Sequence, residues 1–179
     1  MAIKMTQIQK QKWLSAGLMT LDKKGAEHLK IGDLCQQLNV TKGAFYHWFK
    51  SKKDFDFALL EHWRNAFTEQ FIVQSDFGSN SEKKLSMLVK QCIEGLNKES
   101  RLEIEINMWS KQSVEVGEFV LRVYQQRFDY VMALLNDIYP SSIEAKRHAL
   151  LLYCLLIGCD LFFRKISKEE AELMFRDYL

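Results

Sequence analysis

Between Asn39 and Phe55 the chain reads NVTKGAFYHWFKSKKDF, and few folds accommodate that string. Seventeen positions hold a helix-opening Thr41, an aromatic cluster and four lysines: Lys42, Lys50, Lys52 and Lys53. Upstream, in KIGDLCQQL, Ile31, Leu34, Cys35 and Leu38 recur at spacings of three and four, the single apolar face of a short helix. Leu38-Asn39-Val40 leaves room only for a tight turn before Thr41, whose hydroxyl is placed to cap the next helix. On that helix Phe45 and Phe49 lie four apart on one side, while Lys42, Gly43, Tyr46 and His47 form the opposite arc. Two short helices joined by a three- to four-residue turn make a helix-turn-helix, whose second helix suits the DNA major groove.

The rest of the chain is also helical in period. Thr6 and Gln9 carry the spacing of a capping box, opening a first helix that buries Trp13, Leu14, Leu18 and Leu21, with Ala16 and Gly17 as small packing residues. Gly25 ends it, because glycine alone adopts positive φ without cost. Ser51 and Asp54 repeat the capping pattern and open one long helix, Lys52 to about Ser75. DFGSNS, residues 76–81, is a loop by composition. Helices are then predicted over Glu82–Lys98, about Arg101–Ser110, Val114–Tyr139 and Ser142–Lys165, with a last one opened by a Ser167/Glu170 capping box. No segment sustains strand-type alternation. The expectation is an all-α protein: a three-helix head over 1–51, a connecting helix over 52–75, and a larger helical body over 76–179.

Charge supports that division. Residues 1–64 hold eleven Lys/Arg against six Asp/Glu, and the remaining 115 hold fourteen against seventeen. A basic end on a mildly acidic body is the footprint of a DNA-contacting module joined to a regulatory one. Cys35, Cys92, Cys154 and Cys159 form no CxxC pair and lack histidines at zinc spacing, so no metal or cofactor is expected. They read as buried thiols of a reducing compartment, and MAIKMTQIQKQKWL lacks a signal-peptide core, so a cytoplasmic protein is expected. The most apolar run, ALLLYCLLIGCDLFF over 149–163, is interrupted by Asp160 and short of the ~20 residues needed to span a bilayer. No nucleophile elbow, zincin helix or phosphate loop is present to suggest an enzyme.

The arc has chemistry suited to a duplex. Lys42 can reach a guanine edge or a phosphate, Gly43 lets the backbone approach closely, Ala44 can meet a thymine methyl, and His47 can bond a phosphate or a base edge. Thr41 and Lys30, opening the third and second helices, are further phosphate candidates.

Gly25, then Ile31 and Leu34, then Val40-Thr41-Lys42-Gly43, then Phe45-Tyr46-x-x-Phe49 followed by Ser51-Lys52, closely resemble the N-terminal signature of TetR-family transcriptional regulators. The resemblance covers residues 6–56 well and the body only in layout. It implies that Tyr46 and Lys52 hold phosphates on double-stranded DNA. Three positions depart from the pattern: Lys30 stands where Thr is common, Cys35 replaces Ala, and Gly32 is a poor helix former.

One head reads too short a site for tight binding, so a homodimer on a palindromic operator is expected. The 149–163 helix is the dimer element, apolar nearly all round, with Leu151, Leu155, Gly158 and Phe162 as contacts and Phe175 from the last helix. The resemblance implies a four-helix bundle between protomers. Met108, Trp109, Phe119, Tyr124, Phe128 and Tyr153 are candidates to line a pocket for a small apolar or amphipathic ligand, although each also suits plain core. Glu103 and Glu105 flank Ile104 in a segment that is pocket-adjacent by the same resemblance. The function implied is a repressor that ligand releases from its operator by population shift. The alternative is the same fold without a small-molecule signal, as a protein-regulated, activating or chromosome-organising factor.

Overall fold

Ten α-helices follow one another without an intervening strand among the described residues of the computed structural model, which are 2–96, 100–161 and 166–178. They are α1 (Ala2–Lys24), α2 (Ile31–Leu38), α3 (Lys42–Trp48), α4 (Lys52–Arg64), α5 (Gln70–Ser75), α6 (Ser81–Leu96), α7 (Leu102–Gln112), α8 (Val114–Ile138), α9 (Ser142–Leu161) and α10 (Lys168–Met174). The all-α reading holds.

Local chemistry explains most boundaries. Helix α1 begins at Ala2 rather than at Thr6, because Ala2 to Met5 include no helix breaker and nothing stops the helix from running back. It ends at Gly25, whose φ of 88° and ψ of 170° lie in a region open only to glycine. Asn39 closes α2 in the left-handed conformation, φ 53° and ψ 51°, which asparagine tolerates better than most residues. The Ser51 hydroxyl accepts from the Asp54 amide, and the Asp54 carboxylate accepts from the Lys50 amide, so the reciprocal bond falls one residue before its expected position. Ser167 and Glu170 form the complete capping box.

The connecting segment differs from expectation. Lys52 to Ser75 is not one regular helix: between α4 and α5 the residues Asn65–Glu69 form a π-turn. Nothing in Asn-Ala-Phe-Thr-Glu announces it, since a π-turn is usually imposed by its surroundings rather than by a breaker residue.

The chain forms two compact units, residues 1–65 with 100–120, and 66–99 with 121–179. In the first, Phe45, Phe49 and Phe55 interlock with centroid separations of 5.0–5.6 Å, and the Trp13 ring meets Phe45 edge-on at 5.4 Å. Gly17 is where α1 meets α4: a Cβ there would stand 2.8 Å from the Phe55 ring and 2.9 Å from Leu59. Helix α7 belongs to this unit, packed on α1 and contributing the buried Leu102, Ile106 and Trp109. The Asp22 carboxylate, near the end of α1, accepts from the Ser100 hydroxyl at 2.9 Å and the Arg101 amide at 2.6 Å. The compact units therefore cut across the division by role at residues 51 and 75.

In the second unit α6, α8, α9 and the C-terminal segment share a core that includes Val89, Ile93, Leu135, Ala149, Leu152 and Phe175. Polar contacts set α5 against α8. The Tyr130 hydroxyl donates to Asp76 at 3.0 Å, and Gln126 donates to Glu69 at 2.9 Å. Among the described residues no helix is long and apolar enough to cross a membrane.

Candidate nucleic-acid interface

The two faces of α3 separate as their spacing requires. Phe45 and Phe49 are completely buried, whereas Lys42, Gly43, Tyr46 and His47 are exposed and Ala44 is half-buried at the edge of the arc. The Tyr46 side chain is 55 % exposed although its ring also touches Phe45 edge-on, which braces the ring and leaves the side chain open to solvent. His47 is propped in the same way against Trp48, ring centroids 4.8 Å apart. Lys10 from α1 sits 5.4 Å from the centre of the Phe49 ring, a cation–π contact that pins α1 to the C-terminal end of α3. The helix is thus braced on its inner side by aromatics, with its outer side exposed.

Gly43 has no internal reason to be glycine. A Cβ there would meet only the Thr41 hydroxyl oxygen, at an ordinary 3.6 Å.

Thr41 occupies the N-cap of α3 with extended backbone, but its hydroxyl makes no capping hydrogen bond, contrary to expectation. Lys30 holds the same position on α2, also without a side-chain cap. Lys30, Thr41 and Lys42 are all exposed.

The start of α4 is more crowded than its sequence suggests. Lys52 forms an ion pair with Asp56 one turn on. Burial raises the Asp56 carboxyl above the ordinary carboxylate range, opposed by its hydrogen bond to Lys52 and by that lysine's charge. Lys53 is also committed, 2.6 Å from Glu115 at the beginning of α8. Only a long-range contact could reveal that pairing. Lys42 and Lys50 have no carboxylate partner among the described residues, as is also true of Lys12, Lys23, Lys24 and Lys30 in the same unit.

The candidate pocket residues do not behave alike. Trp109 and Phe119 are buried in the first unit, where Phe119 packs on Phe57 at 6.3 Å, while Met108 is 55 % exposed and faces solvent. Tyr124, Phe128 and Tyr153 are half-buried in the second unit, with Phe128 and Tyr153 in ring contact at 5.5 Å. Glu103 accepts a hydrogen bond from the indole N–H of the fully buried Trp63 at 3.1 Å, and Glu105 pairs with Arg101 at 3.0 Å. A cleft of about 430 Å³ opens elsewhere, between α1 and α2. Its lining mixes Lys23, Lys24 and His28 with Asp33 and selects no ligand charge.

The proposed dimer residues also divide. Leu151 and Gly158 are exposed on α9, together with Leu150, Cys154 and Ile157, and Leu155 is half-buried. Phe175 is a correction: it is fully buried in the core of its own unit and has no surface to offer a partner. It lies where the turn after α10 folds back, so its ring fills the core rather than continuing the outer face. Phe162 lies outside the described residues.

Comparison with known proteins bears on the head and on the fold. Residues 14–59 match the family described as bacterial regulatory proteins, tetR family. A 57-residue stretch, 32 % of this chain, is 37 % identical to the transcriptional regulator AcuR of Cereibacter sphaeroides, of whose length it spans 26 %. Over nearly the whole chain the fold is similar to solved structures. A TetR-family transcriptional regulator from Streptomyces coelicolor superimposes with a TM-score of 0.79 at 17 % identity, covering 95 % of this chain and 89 % of that one. Reduced NemR of Escherichia coli gives 0.76 at 19 % identity, covering 95 % of each. A regulator from Saccharomonospora viridis, solved with choline, gives 0.75 at 14 % identity, covering 94 % of each.

Proposed function

We propose that this chain, whose head matches the tetR family of bacterial regulatory proteins over residues 14–59, is a member of that family and a dimeric repressor that leaves a palindromic operator when a small molecule binds its body. The observation that carries the DNA-binding part is the outward arc of α3, which exposes Lys42, Gly43, Tyr46 and His47 over a fully buried aromatic anchor. Lys42 and His47 are the base-reading candidates. Tyr46, Thr41 and Lys30 position the head on phosphates, and Lys52 joins them if a phosphate displaces Asp56.

Dimerisation is supported by α9. Its inner side, Ala145, Ala149, Leu152 and Cys159, is spent on the core of its own unit. Its outer side still presents Leu150, Leu151 and Ile157 to water, and α10 adds Leu173 and Met174. A helix apolar on both sides with one side covered invites a second copy. Two heads would then read half-sites about 34–36 Å apart or somewhat more.

A small-molecule effector is the finer part of the reading. The half-buried Tyr124, Phe128 and Tyr153 suit an apolar or amphipathic ligand, and a similar fold holds choline. The packed state of Trp109 and Phe119 instead favours a regulator of the same fold without such a ligand. Selection of duplexes from a random pool by the purified protein tests the core claim. Enrichment of one palindrome supports it, and recovery of no preferred sequence at low salt overturns it.

A further inference from the structure

Three rungs fix how α1 and α4 lie against each other in the first unit. At one end the Lys10 ammonium stands 5.4 Å from the centre of the Phe49 ring, and Phe49 closes α3 just before α4 begins. In the middle Gly17 faces Phe55 and Leu59. At the other end Asp22 accepts from Ser100 and Arg101, and the Trp63 indole donates to Glu103 of the same segment. The two helices therefore run parallel, with Lys10 level with the first turn of α4. At 1.5 Å per residue it lies about 18 Å from the Asp22 end of α1.

Lys10 and Lys52 share one aromatic cluster. Lys52 lies 5.7 Å from the centre of the Phe55 ring, and the Phe49 and Phe55 rings are 5.0 Å apart. The two ammonium groups differ in what holds them. Asp56 neutralises Lys52, whereas an aromatic face fixes an ammonium and leaves its charge intact. Lys10 makes no ion pair among the described residues. Its half-buried side chain is laid on the ring, so little freedom is lost when an anion meets it. Lys23 and Lys24 are unpaired as well, but they sit at the opposite end of α1. Sequence spacing gives no hint of Lys10, because Phe49, far along the chain, marks its place.

We propose that Lys10 is a further DNA contact of the head: its ammonium, held over the Phe49 ring, takes a backbone phosphate of the duplex from α1, beside the start of α4. The inference rests on the reading of the head as a DNA binder and adds to it a residue from a helix that the helix-turn-helix does not include. A phosphate contact positions the head and reads no base, so its effect is the same on every sequence.

Fluorescence anisotropy of the full-length protein reads the contact, on a duplex selected from a random pool and on one of unrelated sequence. Lys10→Gln removes the charge and Lys10→Arg keeps it. The glutamine protein should bind both duplexes more weakly by the same factor, and its slope of log K against log salt should be shallower by about 0.9 per head. Its deficit should therefore shrink about 3.5-fold per head between about 50 and 200 mM salt. Lys10→Arg and Lys23→Gln should keep the parental slope. An unchanged slope in Lys10→Gln overturns the contact even where affinity falls, because loss of the brace on α3 alone would do that. So does an equal change in Lys23→Gln, which would report net charge rather than a contact. Acetylation of the parent, read by mass spectrometry, needs no variant to fold. Duplex should slow modification of Lys10 about fivefold and leave Lys23 unchanged, and equal rates with and without duplex overturn the contact too. A parent that binds no duplex at low salt sinks the DNA reading itself, whereas a parent that binds with Lys10 indifferent sinks this contact alone.

Discussion

Lys52 is bonded to Asp56, so the lysine that begins α4 is held by a carboxylate of its own helix. The pair is partly buried, and burial dominates the upward displacement of the Asp56 carboxyl. A phosphate must compete with that carboxylate for Lys52.

Asp56→Asn should therefore tighten binding to all duplexes alike. If Lys52 gains a phosphate, the slope of log K against log salt should steepen by about 0.9. Fluorescence anisotropy at several salt concentrations checks this, and an unchanged slope would show that Lys52 stays away from DNA. The same substitution should alter the acid side of the stability curve. A carboxyl raised on folding keeps more protons folded than unfolded, so the parent loses stability as pH rises from about 3.8 through the raised value. The asparagine protein should lack that decline.

Lys42→Ala and Tyr46→Phe should separate reading from positioning. Loss of a good base contact costs about 1–3 kcal/mol at one base pair, so Lys42→Ala should flatten preference at particular operator positions. Tyr46→Phe should weaken all sequences by a similar factor. Competition with single-base operator variants distinguishes the two, and identical profiles for both proteins would contradict the assigned roles.

Gly17→Val should destabilise the head unit. The added atoms enter space already held by Phe55 and Leu59, both buried and unable to swing into solvent. Overpacking of this kind costs about 1–3 kcal/mol. For a chain of this size that lowers the thermal midpoint by roughly 2–4 °C per kcal/mol. Gly17→Ala should cost less, because alanine recovers about 1 kcal/mol of helix propensity. Calorimetry of both proteins checks the order.

Leu151→Glu, on the exposed side of α9, should convert a dimer to monomer while leaving helix content unchanged. Sedimentation velocity reads the mass. The parent's thermal midpoint should rise with protein concentration and the variant's should not.

Helical period made α2 and α3 legible, because each must bury one stripe, and Leu34, Phe45 and Phe49 fall on it. Gly17 could be read as a packing residue for the same reason. What escaped depends on contacts distant in sequence. No local pattern at Asn65–Glu69 signals a π-turn, and the partner of its Thr68 hydroxyl is Arg127, about sixty residues on. Lys53 reads as a free surface lysine until Glu115 is placed beside it. Phe175 has the same composition signal whether it fills its own core or a partner's, and only the fold distinguishes them.

The tie between Asp22 and the Ser100-Arg101 backbone bears on how such regulators can be recombined. Leu102, Ile106 and Trp109 finish the hydrophobic interior of the first compact unit, so a graft cut after residue 51 or 75 would leave that interior open. Chimeras that transplant residues 100–120 along with the first 65 keep that interior closed, and they mark the unit to be moved as a whole.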